Sequence, residues 1–230
     1  MARQPTPPTG GGDGQTAGWS AWKPSGAKTG TAQIAEHVGG QYRLPDGRQL
    51  VLVEGGPMEV AGLPLTVALR QAPAQGGDIK LFEDKGVLYR LCGLGKDCAI
   101  TAGKPSRKRH LLLRREALEL ALYSFRYLDG VQQVAVFLPP ALGAKPSQAV
   151  FLRKDQVREE LSKPLDSTLT AAAPTLDRVT HAPDALLVHQ LTLPALFRFS
   201  VTQETGDDRT LLMLDPLSAP QTPAPSGLPA

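Results

Sequence analysis

The stretch LLLRREALELALYSFRYLDG, residues 111–130, constrains the fold more than any other part of the chain. Its polar residues recur with the period of an α-helix, and Asp129-Gly130 ends the pattern. On a helical wheel these residues form one narrow stripe, and nearly every other position is apolar. We therefore predict one long, mostly buried central helix. The stripe comprises Arg115, Glu116, Glu119, Tyr123 and Arg126.

One charged residue of this helix lies off the polar stripe. Arg114 falls among Leu118, Ala121 and Phe125 on the apolar face. A buried guanidinium needs a carboxylate to offset the loss of its hydration. We expect Arg114 to form an internal salt bridge.

The remaining patterns predict an α+β fold. Runs rich in β-branched and aromatic residues, separated by turn residues, predict strands that include LLVHQLTL at 186–193. Capping signals predict short helices at 31–39 and 156–162. Because most of the strands follow one another through short turns, we expect mainly antiparallel sheet packed on the long helix.

Composition divides the chain into three parts. The leader, residues 1–18, and the tail, residues 217–230, are rich in Pro and Gly and poor in large apolar side chains, which predicts disorder. A single domain is expected over 19–216, with a β-rich part to about 101 and a helix-centred part from about 107.

Two cysteines bear on the cellular compartment. Cys92 and Cys98 enclose Gly-Leu-Gly-Lys-Asp, which lacks the spacing and the Ser or Thr of a phosphate-binding loop. A zinc site is disfavoured, because the chain has only two cysteines and four scattered histidines. Two reduced thiols and a disulfide remain, and the short, Gly-rich loop favours the disulfide. A disulfide indicates an extracytoplasmic location, whereas free thiols indicate the cytoplasm.

A basic run precedes the long helix. KPSRKRHLLLRR, residues 104–115, contains six Lys or Arg residues and no acid. Cations are unfavourable at a helix N-terminus, which suggests that an anion binds there. The predicted anion site comprises Lys104, Ser106, Arg107, Lys108 and Arg109. A loop that merely keeps the domain soluble is the alternative, since runs of charge are usually solvated.

The chain contains two tryptophans, Trp19 and Trp22, just after the leader. The simplest interpretation is a latch whose indoles pack on the domain. A carbohydrate platform and an aromatic belt above a membrane are the alternatives.

Several function classes find little support. No catalytic motif is recognisable, and the sequence indicates neither a cofactor nor a metal. The net charge of +3 is mild and the basic run lacks aromatic residues, which argues against nucleic acid as a partner. No apolar run is long enough to cross a membrane, so no transmembrane segment is predicted.

The string CGLGKDCAITAGKPSRKRHLLLRREALELALYSFRYLDG, followed by VAVFLPP and AVFLR, resembles uncharacterised single-pass membrane-anchored proteins of high-GC Gram-positive bacteria. The resemblance spans roughly Trp19 to Asp215. It implies an extracytoplasmic domain behind an N-terminal anchor, and no activity is carried over with it. The absence of asparagine agrees with a high-GC source.

These observations predict a non-catalytic domain at a bacterial cell envelope that contacts an anionic lipid, polymer or protein through its basic residues. A cytoplasmic regulatory or scaffolding protein with free thiols is the alternative. An enzyme without a recognisable motif is the less favoured third interpretation.

Overall fold

The structure is a computed structural model of the chain. It describes residues 18–25, 30–71, 76–101, 104–203 and 210–217. The leader up to residue 17 and the tail from residue 218 therefore lie outside the described residues.

The described residues form an α+β fold with four α-helices and nine β-strands. The helices are α1 (Gly30–Gly39), α2 (Arg107–Tyr127), α3 (Arg158–Ser162) and α4 (Ala185–Thr192). The strands are β1 (Leu52–Pro57), β2 (Glu59–Val60), β3 (Leu63–Arg70), β4 (Ile79–Phe82), β5 (Gly86–Cys92), β6 (Gln133–Phe137), β7 (Gln148–Arg153), β8 (Leu196–Gln203) and β9 (Thr210–Pro216).

All nine strands belong to one mixed sheet. Its order is β1-β5-β6-β7-β8-β9-β3-β2, with β4 also paired to β3. The prediction of a mainly antiparallel sheet is corrected here, because β5 pairs with β6 and β3 pairs with β9 in parallel. The chain between β5 and β6 contains α2, and such a helical crossover lets the second strand run in the same direction as the first.

The sheet is nearly closed on itself. Its two end strands, β1 and β2, are separated along the chain by Met58 alone. Phe82 of β4 lies 6.0 Å from Phe151 of β7, measured between ring centroids, although these strands are not neighbours in the sheet. Met58 and the buried side chains of several strands pack together in one apolar cluster: Met58, Leu65, Val67, Leu88, Ala135, Phe137, Ala149, Phe151, Leu212 and Leu214.

A second, larger core lies between the sheet and the helices. Strand β6 divides its residues between the two cores, with Val134 and Val136 in the larger one and Ala135 and Phe137 in the other. All five residues of β6 are buried, because both faces of the strand are covered.

Helix α2 is the longest of the described helices and occupies the predicted segment. The side chain of Ser106 caps it by accepting a hydrogen bond from the backbone N–H of Arg109 at 3.1 Å. The helix is buried on nearly all sides and contacts α1, α3 and α4 as well as β6 and β7. The helical layer is therefore shared among several helices, whereas the sequence predicted that the sheet packs on one long central helix.

Helix α4 replaces the strand predicted at 186–193. Val188 and Thr192, four residues apart, are buried, while Leu186 remains 67% exposed. Burial of residues four apart is typical of a helix that packs one side against a core. Here that side of α4 packs on α2. The apolar run is too short for the sequence to distinguish the two-residue period of a strand from the 3.6-residue period of a helix.

Candidate functional site

The predicted anion-binding residues divide into exposed and buried groups. Lys104, Arg107 and Lys108 are exposed. Ser106 is used as the cap of α2. Arg109 turns into the protein, where it is 2% exposed and its Nη2 donates to the backbone oxygen of Leu50 at 3.3 Å.

A basic pocket lies beside the start of α2. It has a volume of about 300 Å³ and is formed by the first turns of α2 and by the segment that joins β6 to β7. We call it the basic pocket and define it by Ser106, Arg109, His110, Lys145 and Gln148. None of the described residues that line it is acidic. The pocket therefore combines three basic side chains with no carboxylate.

His110 is the histidine of this pocket. Its Nε2 lies 3.3 Å from Oε1 of Gln148. Burial lowers the pKa of His110, and the positive charge of Arg114 lowers it further. The imidazole is therefore neutral at neutral pH, and an anion beside it would favour its protonated form.

The predicted salt bridge of Arg114 is wrong for the part of the chain that the structure describes. Arg114 is 5% exposed and forms no ion pair with a described carboxylate. Its Nη1 donates to Oγ1 of Thr192 at 3.2 Å, and its Nη2 lies 3.5 Å from Nδ1 of His189. A desolvated positive charge thus remains close to His110.

The buried salt bridge belongs to the next residue, Arg115. Its Nε and Nη2 donate to Oδ2 of Asp184 at 3.0 and 2.8 Å. Its Nη1 donates to the hydroxyl of Tyr42 at 2.6 Å and lies 3.3 Å from Oε2 of Glu119. Tyr42 in turn donates to Oε2 of Glu119 at 2.6 Å. These four side chains form a closed, buried charge network, since each is 5% exposed or less.

The polar stripe of α2 is therefore an interior surface over most of its length, with only Arg126 exposed. Glu116 is completely buried, and neither carboxyl oxygen has a hydrogen-bond partner among the described residues. Burial, assisted by the charge of Glu119, raises the pKa of Glu116 well above its ordinary value. Burial also raises the pKa of Glu119, although Arg115 opposes the shift. The sequence showed these residues on one helix face and did not show that the face is covered.

The two tryptophans lie against α1 and α2. Trp19 is 8% exposed, and its ring centroid lies 5.6 Å from that of Tyr123 and 5.7 Å from that of Tyr127, both edge to face. Trp22 stacks on His37 with 3.9 Å between centroids and 6° between planes. The backbone oxygen of Trp19 accepts a hydrogen bond from the N–H of Leu165 at 2.8 Å. The segment is thus packed on the domain.

These rings line a second cavity, of about 340 Å³, which we call the aromatic cleft. We define it by Trp19, Trp22, His37, Glu119 and Tyr123. Burial lowers the pKa of His37, so that its ring is neutral at neutral pH. The cleft is the place where the buried charge network, through Glu119, meets solvent-accessible space.

Cys92 and Cys98 form a disulfide at the end of β5. The enclosed loop folds back on the chain, with the N–H of Gly93 donating to the oxygen of Cys98 at 2.8 Å. A Cβ atom on Gly93 would lie 2.7 Å from the backbone oxygen of Ala99, and one on Gly95 would lie at the same distance from that oxygen. Glycine is required at both positions by this close approach.

Comparison with protein-family models, curated proteins and solved structures gave no match. Site chemistry is accordingly the basis for any functional assignment. No helix within the described ranges is long and apolar enough to span a membrane. Over the same ranges, no group of three or more His, Cys, Asp or Glu side chains is placed to hold a metal ion.

Proposed function

We propose that this chain is a non-catalytic, extracytoplasmic domain of a bacterial cell envelope that binds an anionic partner through the basic pocket. The observation that carries the proposal is the lining of that pocket, in which Arg109, His110 and Lys145 stand without an acidic neighbour. Positive groups held together in a concave site favour a negatively charged ligand.

The position of the pocket on α2 adds to this preference. The first amide groups of a helix lack intrahelical acceptors, and the helix dipole favours negative charge there. Arg114, buried beside His110 without a described carboxylate partner, increases the local positive potential. An anion in the pocket would offset both the dipole and this charge.

The size of the pocket favours a small charged group as the part of the partner that enters it. About 300 Å³ suits a phosphate or carboxylate with its immediate substituents. Lys104, Arg107 and Lys108 are exposed near the same end of α2 and can contact further charges of an anionic lipid surface or polymer. The proposed partner is therefore polyanionic, with one group in the pocket.

The disulfide supports the proposed compartment. Stable disulfides form outside the reducing cytoplasm, in extracellular or envelope compartments. The Cys92–Cys98 pair closes a loop at the end of β5. This pairing favours the envelope over the alternative of a cytoplasmic scaffold with free thiols.

Binding of inorganic phosphate, measured by isothermal titration calorimetry, and co-sedimentation with phosphatidylglycerol vesicles test the proposal. We expect Lys145→Gln to weaken binding about tenfold, because it removes one charge-assisted contact. His110→Gln should weaken binding by a similar factor at a pH where the imidazole of wild type is protonated. The control is Arg158→Gln, which removes an exposed cation that does not line the pocket.

The pH dependence gives a second measurement. Because only the imidazolium form of His110 attracts the anion and its pKa is lowered in the free protein, binding should strengthen as the pH falls through that pKa. His110→Gln should remove this component. Equal binding by wild type, Lys145→Gln and His110→Gln, or an equal loss in Arg158→Gln, would overturn the assignment of the anion to this pocket.

A further inference from the structure

We propose that the aromatic cleft is a separate binding site for a small organic cation that also carries a hydroxyl group, an amino alcohol such as choline or ethanolamine. The cation would lie among the rings of Trp19, Trp22 and Tyr123 and beside the carboxylate of Glu119. This site is distinct in residues and in charge from the basic pocket.

The lining of the cleft has the opposite character to that of the basic pocket. Two acidic residues, Glu119 and Asp166, line it, and the described lining includes no Lys or Arg. Aromatic faces attract cations through the negative charge of their π systems, and a nearby carboxylate adds direct attraction. Aromatic rings combined with carboxylates, a neutral histidine and no Lys or Arg favour a cation over an anion or a neutral ligand.

The buried charge network strengthens this preference. It contains one cation, Arg115, and two carboxylates, Asp184 and Glu119, at ion-pair distances of 2.8 and 3.3 Å. When Tyr42 is neutral and both carboxylates are ionised, the network carries a net charge of −1, so one further positive charge would neutralise it. Glu119 is the member of this network that lines the cleft. A ligand cation at that point would supply the missing charge and favour the ionised carboxylate.

One of these rings, that of Trp19, already lies beside a cation of the chain. The guanidinium carbon of Arg126 lies 6.0 Å from the centroid of the Trp19 ring, a cation–π distance. Trp22 is partly exposed and is held in place by its stack on His37. The rings are therefore fixed before a ligand arrives, which lowers the entropy cost of binding.

The hydroxyl of the ligand is inferred from a separate observation. Trp19 is 8% exposed, and its indole Nε1 is buried without an acceptor among the described residues. Buried donors of this kind are rarely left unpaired in proteins. Trp19 lines the cleft, and we infer that a hydroxyl oxygen of the bound ligand accepts a hydrogen bond from this indole N–H.

Intrinsic fluorescence provides a direct assay. The chain has two tryptophans, and both line the cleft. Titration of the full chain with choline or ethanolamine should produce a saturable change in emission. The uncharged isostere of choline, 3,3-dimethylbutan-1-ol, should bind at least tenfold more weakly, because it lacks the charge. Glucose, a neutral polyol, should give no saturable change.

Variants separate the site from a general effect on the fold. Glu119→Gln keeps the shape and removes the charge, and Trp22→Leu removes one ring without cutting into the buried network. By isothermal titration calorimetry, each should bind choline at least tenfold more weakly. Glu36→Gln is the matched control, since Glu36 is an exposed α1 carboxylate that does not line the cleft. Lys145→Gln should also bind choline like wild type.

Three results would overturn the inference: no saturable signal with either amine, equal affinity for the uncharged isostere, or an unchanged affinity in Trp22→Leu. Preferred binding of glucose would instead identify the cleft as a carbohydrate site and would equally contradict the cation assignment. Folding of each variant is checked by circular dichroism and thermal unfolding, so that a loss of binding is read only from folded protein.

Discussion

Replacing Glu116 with glutamine tests how the fold accommodates a carboxyl group in its interior. Glu116 is 0% exposed, lies in the middle of α2 and has no described hydrogen-bond partner. Burial raises its pKa well above the ordinary value, with a further contribution from the charge of Glu119. The side chain is therefore protonated in the folded protein over a pH range in which the unfolded chain has already lost the proton.

This difference sets the sign and size of the effect. Above the pKa of the unfolded chain, near 4.3, folding must take up one proton at Glu116 until the pH reaches the folded-state pKa. Within that window, the free energy of unfolding of wild type falls by about 1.4 kcal/mol per pH unit on account of this residue. Glutamine does not titrate, so the stability of Glu116→Gln relative to wild type should rise with pH by the same amount, about 1.4 kcal/mol for each pH unit between the unfolded and folded pKa values.

The assay is urea unfolding followed by tryptophan fluorescence at several pH values between 5 and 8. The slope of the stability difference against pH is the readout, because it does not depend on any constant cost of burying the amide. Glu159→Gln is the control, since the Glu159 side chain is 82% exposed and its salt bridge to Lys163 lies at the surface. A Glu116→Gln curve parallel to that of wild type would show that Glu116 is ionised in the folded protein and would refute the reasoning.

Two further predictions concern the disulfide loop. Gly93→Ala should lower the free energy of unfolding by about 1–3 kcal/mol, because the new Cβ would lie 2.7 Å from a backbone oxygen. At the control position, Gly56→Ala, the new Cβ meets nothing within 4 Å, and the free energy of unfolding should change by less than about 0.5 kcal/mol. Urea unfolding of the pair distinguishes the two, and an equal effect would contradict the close approach. Protein from an oxidising compartment, alkylated under denaturing conditions without reductant, should show no free thiol by intact mass; two alkylated cysteines would contradict the Cys92–Cys98 pair.

Local features of the fold were predictable from the sequence. The apolar period of residues 111–130 placed a long helix where α2 lies, because a helix with few polar positions must be covered on most sides. The two cysteines were predicted to pair because they are close in sequence, and they do so in the structure. In both cases the interacting residues are close together in the sequence, so their arrangement can be inferred from the sequence alone.

The candidate sites were only partly predictable. The basic run pointed to the N-terminal end of α2, where Arg109 and His110 do line the pocket, but the guanidinium of Arg109 turns inward to Leu50. Lys145, which also lines the pocket, comes from a different part of the chain. The aromatic cleft brings Trp22 and His37 close to Glu119, although more than eighty residues separate each of them from it along the chain. This arrangement depends on the packing of α1 and the Trp19 segment on α2, and no local sequence pattern predicts that packing.

The sequence by itself determined the helical period of α2, the loop closed by the cysteines and the presence of basic and aromatic clusters. The tertiary structure alone decided that the sheet is mixed and nearly closed, and that the polar stripe of α2 faces inward. The physical reason is that periodicity shows which residues share a face, whereas the ionisation and partners of those residues depend on what covers the face. Glu116 and Glu119 illustrate this, because their pKa values are raised by burial that only distant segments provide.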